Sequence, residues 1–586
     1  MEQAALHRFW PLANRKMVAK LLSELEYEQA FTLVEHEKAF IVTLFSGMQY
    51  QVEGWRNLWG QLVIEPSSIV RRNALNLDVP VEATGFIQDA RGELGLSDES
   101  LAEHLEDLYA TLLGDCKLMQ RKADLTAEDI AALPLDKQQC LFDGHPKFAF
   151  NKGRRGWGRD DLRQFAPESE EAFQLYWIAV SDTLVSHAIS DSVTWQTLLD
   201  SALSLDEQAN IRADLTALKL NAHNYRLIPV HPWQWEKKLS LLFVAELAAK
   251  EMVFLGAYGD EFLPQLSLRT LTNVSRPGGY DIKLPLTIMN TSCYRGIPSR
   301  YVLAGPDASH WLAAQFAKDP TLGATGASIL SEPASASVSH AVYQSLPNAP
   351  YRYHELCGVI WREAAHTKLK TDEDAILMAA LMESDVEGNP LIGAYIAASG
   401  LSADEWISRM FQAVVTPLYH LLVKYGVSLI AHGQNITLVL ENHAPKRILL
   451  KDFQGDMRLI DAALPELESL PLSVKSVTVR LPPELIIHDL QTGHFVTVLR
   501  FISPLMTQLG MSEFRFYSLL AQTLKTYMAA HPELAERFKS LDLFTPKMLR
   551  IGLNLAKFRH ETDNSANRML PDMDDDLDNP LYLVTH

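Results

Sequence analysis

Between Gln265 and Arg295 the chain sets Ser267, Arg269, Lys283, Thr291, Ser292 and Arg295 among apolar runs. A strand period of two puts Ser267, Arg269 and Leu271 on one face, with Thr270 between them. In the next run Ile282, Leu284, Leu286 and Ile288 face a core and Lys283 points the other way. Pro285 marks an edge or a bulge there. Thr291 and Ser292 are expected to cap a short helix carrying Arg295 on its first turn. If these side chains converge, three cations and three hydroxyls make an anion site, for phosphates or carboxylates. Ordinary surface salt bridges are the alternative, because no single spacing here is diagnostic.

Two other stretches carry polar groups that chemistry could use. Lys147, Lys152, Arg154, Arg155 and Arg159 follow one another with no acid among them. Gly144, Gly153, Gly156 and Gly158 would let the backbone approach a ligand. This reads as a lid over a polyphosphate, or as a solvated basic turn. Further on, His432-Gly-Gln-Asn435 ends one apolar run and Lys451-Asp452 ends a later one. Small polar residues at strand ends beside a carboxylate resemble the metal-nucleotide end of kinase-like folds. Gln434 stands where such enzymes keep an aspartate base, which argues against phosphoryl transfer to a hydroxyl.

The elements that must position these groups are mixed. Helices are predicted over 13–29, 100–135, 169–190 and 206–219. Short strands and turns fill 40–65, and two strands flank Pro277-Gly278-Gly279. The segment 320–350, rich in Ala, Ser, Pro and Gly, reads as a surface connection. A long helix starts at Ser402, buries Trp406, Ile407, Met410, Phe411, Val414, Leu418, Leu421 and Leu422, and stops at Gly426. Apolar runs at 427–430, 436–440 and 448–453 are read as one antiparallel unit, with helix again to about 560.

Composition bounds the rest. A chain of 586 residues suggests three or so packed units. Lys+Arg 53 against Asp+Glu 72 give −19, a poor balance for broad nucleic-acid or anionic-membrane binding. Part of the excess lies between Glu561 and Asp578, read as a solvated acidic tail. No apolar run reaches the ~20 residues of a membrane span, and no secretory leader is seen at the start. Cys116, Cys140, Cys293 and Cys357 form no metal-spaced pair, as expected of a reduced cytoplasmic protein. Phosphate-loop, dinucleotide, zincin and nucleophile-elbow signatures are absent.

From about 140 to 560 the chain resembles the siderophore synthetases that work independently of nonribosomal peptide synthetases. The motifs are Gly144-His145-Pro146 with its basic loop, His231-Pro232-Trp233-Gln234, Ser267-x-Arg269-Thr270, Lys283-Leu284-Pro285, Thr291-Ser292-x-x-Arg295, His432-Gly-Gln-Asn435 and Lys451-Asp452-Phe453. The runs at 108–115, 150–158 and 488–505 carry a closer match, to members that add a second N6-acetyl-N6-hydroxylysine to a citrate already bearing one. The resemblance implies an α+β, three-domain cupped hand: a thumb over 1–139, fingers over 140–395 and a palm over 396–586. It implies ATP and Mg2+ as cofactors, adenylation of a citryl carboxylate and its capture by an amine. It also implies a cytoplasmic homodimer with small-molecule substrates and neither nucleic acid nor membrane as partner. In it His145, Ser267, Arg269, Thr270 and Lys283 would contact ATP phosphates, and Arg295 the α-phosphate and citryl carboxylates. Thr291, Ser292 and His432 would hold the citryl group, Asn435 and Asp452 nucleotide and Mg2+, and Lys547 with Arg550 the acceptor. Arg295, His432 and Lys283 would be the catalytic residues. C-terminal regions of the family are also similar to ferric siderophore reductases, whose terminal cysteine cluster this chain lacks.

Overall fold

A computed structural model of the chain describes residues 2–276, 278–560 and 572–586. Pro277 of the expected turn, and the 561–571 part of the acidic tail, lie outside them. Helices and mainly antiparallel sheets are mixed, as predicted.

Three large buried clusters organise the molecule. In the first, the helix Glu2–Tyr27 turns Met17, Val18, Leu21, Leu22 and Leu25 inward against the helix Asp98–Lys122 and a five-stranded sheet. Leu555 and Phe558, from near the other end of the chain, complete this cluster.

The second cluster lies under an eight-stranded sheet. Its strands, with the hairpin that follows the sixth, are β1 (Phe173–Ser181), β2 (Val185–Ile189), β3 (Tyr225–Val230), β4 (Met252–Pro264), β5 (Thr270–Asn273), β6 (Asp281–Lys283), β7 (Leu286–Asn290), β8 (Cys293–Arg295), β9 (Ala334–Val338) and β10 (Gly358–Arg362). The sheet order is β3-β1-β4-β5-β6-β10-β9-β2, antiparallel throughout, with β7 and β8 pairing separately. Leu271, Ile282 and Trp361 point into the apolar cluster. Thr270, Lys283 and Arg362 point the opposite way, so the sheet has one apolar and one polar face.

The expected helix over 169–190 is therefore wrong. That segment is β1 and β2, and β1 is buried on both sides over Trp177–Val180. A doubly buried strand reads as a continuous apolar run, which periodicity cannot tell from a helix. The segment 320–350 is no surface connection either: β9 is wholly buried between two neighbours. Its Ala-Ser alternation suits a crowded interior position, and Ser335 Oγ donates to the Val302 carbonyl.

The third cluster surrounds the helix Ala403–Tyr425, whose predicted apolar face is buried. Ser402 accepts from the Glu405 amide, and Gly426 ends the helix with φ 61°. The runs after it do not form one unit. Val427–Leu429 joins a separate sheet, while β11 (Ile436–Glu441) and β12 (Ala444–Leu450) pair antiparallel in a four-stranded one.

The His231-Pro232-Trp233-Gln234 motif is a brace. His231 Nδ1 accepts from the Trp233 amide at 3.1 Å, and its ring packs on Phe165 and Phe173. Gln234 Nε2 donates to Thr287 Oγ1 and the Leu356 carbonyl, both at 2.9 Å, and its Oε1 accepts from the Thr287 amide at 2.8 Å. β7 is thereby pinned before it reaches the hairpin turn. Burial pushes His231 down to about 3. Above pH 6.5 the ring is neutral in folded and unfolded chains alike. Between pH 6.5 and 3 only the unfolded chain takes a proton, so stability falls as pH falls. His231→Asn keeps an N-capping acceptor and removes that titration. Urea unfolding across this range is expected to show a limb shallower by about 1 kcal/mol per pH unit; identical limbs would contradict it.

Candidate functional site

A cleft of about 490 Å3 lies against the polar face of the sheet. Thr270, Lys283 and Arg362 reach it from β5, β6 and β10, and Thr270 stands directly opposite Lys283 in the ladder. Ser267 and Arg269 also line it, but not as strand residues. β4 ends at Pro264, and 265–269 form the turn into β5, with Leu268 at φ 69°. Arg269 donates to the Gly296 carbonyl from that turn.

Arg295 arrives differently from the sequence expectation. No helix follows Thr291 and Ser292; they are the two-residue turn of the β7–β8 hairpin, where Asn290 pairs with Cys293. Thr291 has φ 58°, costly for a β-branched residue. Four hydrogen bonds hold the strained turn. Thr291 Oγ1 donates to the Asn290 carbonyl at 2.6 Å, Arg295 Nη2 donates to the same carbonyl at 2.8 Å, and Lys557 Nζ donates to the Thr291 carbonyl at 2.7 Å. Arg295 Nη2 also donates to Thr291 Oγ1. Ser292 lines the cleft beside them.

The facing wall comes from the third cluster. Ile436 pairs with Leu450, so Asn435 and Lys451 sit at one end of β11 and β12, and the Lys451 amide donates to the Asn435 carbonyl at 3.3 Å. Asp452 follows at φ 71°. Its carboxylate accepts from Lys283 and lies 3.5 Å from Arg362, which in turn is held by the buried Glu332 at 2.6 Å. Asn435 Nδ2 donates to Asp456 at 2.8 Å and to the Ile430 carbonyl at 3.1 Å. Burial would raise the Asp452 carboxyl, but Lys283 and Arg362 outweigh it and hold it well below the ordinary range. Burial lowers Lys283 against the pull of Asp452, and lowers Lys451 to about 8.

His145 and His432 stand with ring centroids 6.0 Å apart. Burial, then the neighbouring His432 and the cations Lys20, Lys147 and Arg295, pushes His145 well below its usual value; burial also lowers His432. Both are neutral at pH 7. Around the cleft, buried His145 Nδ1, Ser267 Oγ, Asn290 Oδ1 and Arg295 Nε have no partner within the protein. Buried polar atoms are rarely left so, and four on residues lining one cleft suit a polar ligand.

Asn435, Asp452 and Asp456 bring oxygen donors to one side of the cleft. Such a hard set fits Mg2+, which takes one or two carboxylates and completes its shell with phosphate and water oxygens. Among the described residues no cluster of three His, Cys, Asp or Glu side chains is preassembled for a metal, so the protein's share of such a site is partial.

Of the thirteen side chains expected at the site, eleven line the cleft, Lys547 and Arg550 being the exceptions: His145, Ser267, Arg269, Thr270, Lys283, Thr291, Ser292, Arg295, His432, Asn435 and Asp452. Lys547 is the exposed first residue of the strand Lys547–Gly552, paired with Asp578 at 2.7 Å, and Arg550 pairs with Asp576 at 2.8 Å. These tail acids belong to the strand Asp572–Asp578, which pairs antiparallel with Lys547–Gly552. The basic loop is no lid. Lys147 bridges Glu28 at 3.0 Å, Lys152 meets Asp115 and Asp143 at 2.7 and 2.6 Å, Arg154 meets Glu168 at 2.5 Å, and Arg155 meets Glu103 and Asp107 at 2.9 and 3.2 Å. Their acids come mostly from distant segments, so sequence showed the cations without their partners. Arg362, Lys451 and Asp456 are wall residues to which no role had been given. An arginine ending the apolar run Gly358–Trp361 was the available signal for the first.

The sequence model of the IucA/IucC family matches residues 134–383, and that of the ferric iron reductase FhuF-like transporters matches 404–567. The latter segment contains no cysteine, and so offers no thiolate for an iron–sulfur centre. Over 99% of this chain, it is 58% identical to an aerobactin synthase of Vibrio mimicus, covering 98% of that protein. It is 50% identical to the aerobactin synthase of Escherichia coli over 99% of both chains. The solved structure of aerobactin synthetase IucC from Klebsiella pneumoniae superposes with a TM-score of 0.89 at 48% identity, covering 99% of this chain and all of that one. No helix among the described residues is long and apolar enough to cross a membrane.

Proposed function

This chain belongs to the IucA/IucC family of siderophore synthetases, and on that premise we propose that it is an ATP-dependent acid–amine ligase. It activates a carboxylate of N-citryl-N6-acetyl-N6-hydroxylysine as the acyl-adenylate and joins it to a second N6-acetyl-N6-hydroxylysine. The products are aerobactin, AMP and pyrophosphate. The observation that carries this reading is the gathering of Ser267, Arg269, Lys283, Arg295 and Arg362 on one cleft.

Adenylation brings a carboxylate up to a polyphosphate, and like charges repel. Arginine and lysine side chains offset that repulsion and stabilise the charge that grows at the α-phosphorus. Arg269, Lys283 and Ser267 take the phosphates with Thr270 and His145. Arg295, placed by the hairpin, reaches both the α-phosphate and the citryl carboxylate, while Thr291, Ser292 and His432 orient the citryl group. Neutral His145 and His432 add hydrogen bonding without further charge. Asn435, Asp452 and Asp456 would hold Mg2+, which supplies added positive charge when bound. No protein nucleophile is needed. We read the three buried clusters as thumb, fingers and palm cores, and the enzyme as a cytoplasmic homodimer, as the family resemblance implies.

The purified protein is expected to release AMP and pyrophosphate only when ATP, Mg2+, the citryl monoamide and the hydroxamate amine are all present, with the diamide mass appearing in step. ADP in place of AMP, or no substrate-dependent release, would overturn the reading. A preference for free citrate or another amine in the same panel would redirect it within the family.

A further inference from the structure

The cleft has a neighbour that the adenylation reading does not use. A second cavity of about 630 Å3 adjoins it, and Gln139, Gln265 and Lys451 line both. The pleat of β6 explains the arrangement. Asp281 and Lys283 are two residues apart, so both leave the polar face of the sheet; Lys283 opens into the cleft and Asp281 into the second cavity. The inner wall carries two polar atoms without partners, Asp281 Oδ1 and Thr437 Oγ1. Their residues are 5% and 1% exposed. The other Asp281 oxygen accepts from Gln265 Nε2 at 2.7 Å, and Asp136 shares the wall.

The electrostatics of the two spaces are opposed. Arg269, Lys283, Arg295 and Arg362 line the cleft, and cations that draw in a polyphosphate disfavour an ammonium. The second cavity presents the buried carboxylate of Asp281 and the half-buried one of Asp136, with Lys451 standing at the join. We propose that this cavity binds the amine co-substrate as a zwitterionic α-amino acid, with its ammonium against Asp281 and Thr437 and its carboxylate against Lys451. The proposal rests on the ligase reading above. In the reaction the ammonium gives one proton to Asp281. The free amine then attacks the acyl carbon, the new C–N bond forms, and the C–O bond to AMP breaks with its electron pair leaving on the nucleotide. The second N–H proton passes to solvent. Burial pushes Asp281 up to about 6, which suits a group that must take a proton near neutrality.

The test separates the two half-reactions in the full-length enzyme. ATP–pyrophosphate exchange with the citryl monoamide needs no amine; amide formation with N6-acetyl-N6-hydroxylysine does. Asp281→Asn is expected to leave exchange and the KM for ATP within about twofold and to lower kcat/KM for the amine about 100-fold. Thr437→Val should raise the KM for the amine about tenfold with exchange intact, and it decides the matter if Asp281→Asn fails to fold. Wild-type enzyme should use the decarboxylated amine about tenfold less well, for want of the Lys451 pair. Unchanged kcat/KM for the amine in both variants overturns the proposal. So does a raised KM for ATP in Thr437→Val, because the cavity would then hold the nucleotide. Absence of exchange in the wild type removes the ligase reading itself, and the proposal with it.

Discussion

Arg295→Ala is expected to lower pyrophosphate release about 10²–10³-fold, the size of effect seen when one preorganised donor to a transition state is lost. The expectation follows from how the side chain is held. Nη2 is committed to the Asn290 carbonyl and Thr291 Oγ1, which fixes the guanidinium plane, while buried Nε, on a residue that lines the cleft, has no protein partner. The group is thus anchored at one corner and open at another. Arg295→Lys keeps the charge and loses the planar fork, so it should recover only part of the rate. The hairpin loses a charged hydrogen bond in the alanine variant, costing about 1–3 kcal/mol in urea unfolding. Full pyrophosphate release by the alanine variant would remove Arg295 from the site.

Asp107→Asn should be the most damaging substitution away from the cleft. Asp107 belongs to the helix Asp98–Lys122 and is buried, with Lys557 at 2.7 Å and Arg155 at 3.2 Å. Packing there is tight: a Cβ on Gly153 would come within 2.5 Å of its Oδ1. Asparagine fills the same volume but leaves two buried cations short of a carboxylate. Removing one partner of such an ion cluster costs about 3–5 kcal/mol. The damage should also reach chemistry, because Lys557 holds the Thr291 carbonyl and Thr291 orients Arg295. Urea unfolding would measure the first effect, and the amine-independent exchange rate on the still-folded fraction the second. A loss under about 1 kcal/mol would show that Asp107 does not neutralise this cluster.

The site was more legible in the sequence than the elements that carry it. Ser267, Arg269, Lys283 and Arg295 stood out as charges and hydroxyls in apolar surroundings, because a cleft needs polar groups where a core would forbid them. Their local conformations did not follow. The turn at 265–269 lacks Gly or Pro at its positive-φ position, Leu268, and so shows no turn signal. Thr291 and Ser292 look like helix caps because the same hydroxyls serve both uses. The helix Ala403–Tyr425 was legible from both ends, since Ser402 and Gly426 flank one continuous apolar face. β1 and β9 were not, since strands buried on both sides lose alternation. The basic loop misled for another reason. Charge runs are read locally, whereas Lys147, Arg154 and Arg155 are neutralised by Glu28, Glu168 and Asp107, brought together only by the fold. Lys547 failed as a site residue on the same account, its neighbour Asp578 being a strand partner.

Glu28 also accepts hydrogen bonds from the amide and side chain of Asn554, 526 residues further on, and from the Leu555 amide. The residue that follows the first helix is therefore stitched to a segment synthesised long after it. Until that segment emerges, Glu28 and Lys147 lack Asn554, and Lys557 cannot brace the Thr291 turn. Closure between such remote positions is slow and favours long-lived intermediates with exposed apolar surface. The cleft thus depends on that late segment: truncation before residue 553 is expected to leave a fragment that collapses but lacks the Lys557 brace on the Thr291 turn.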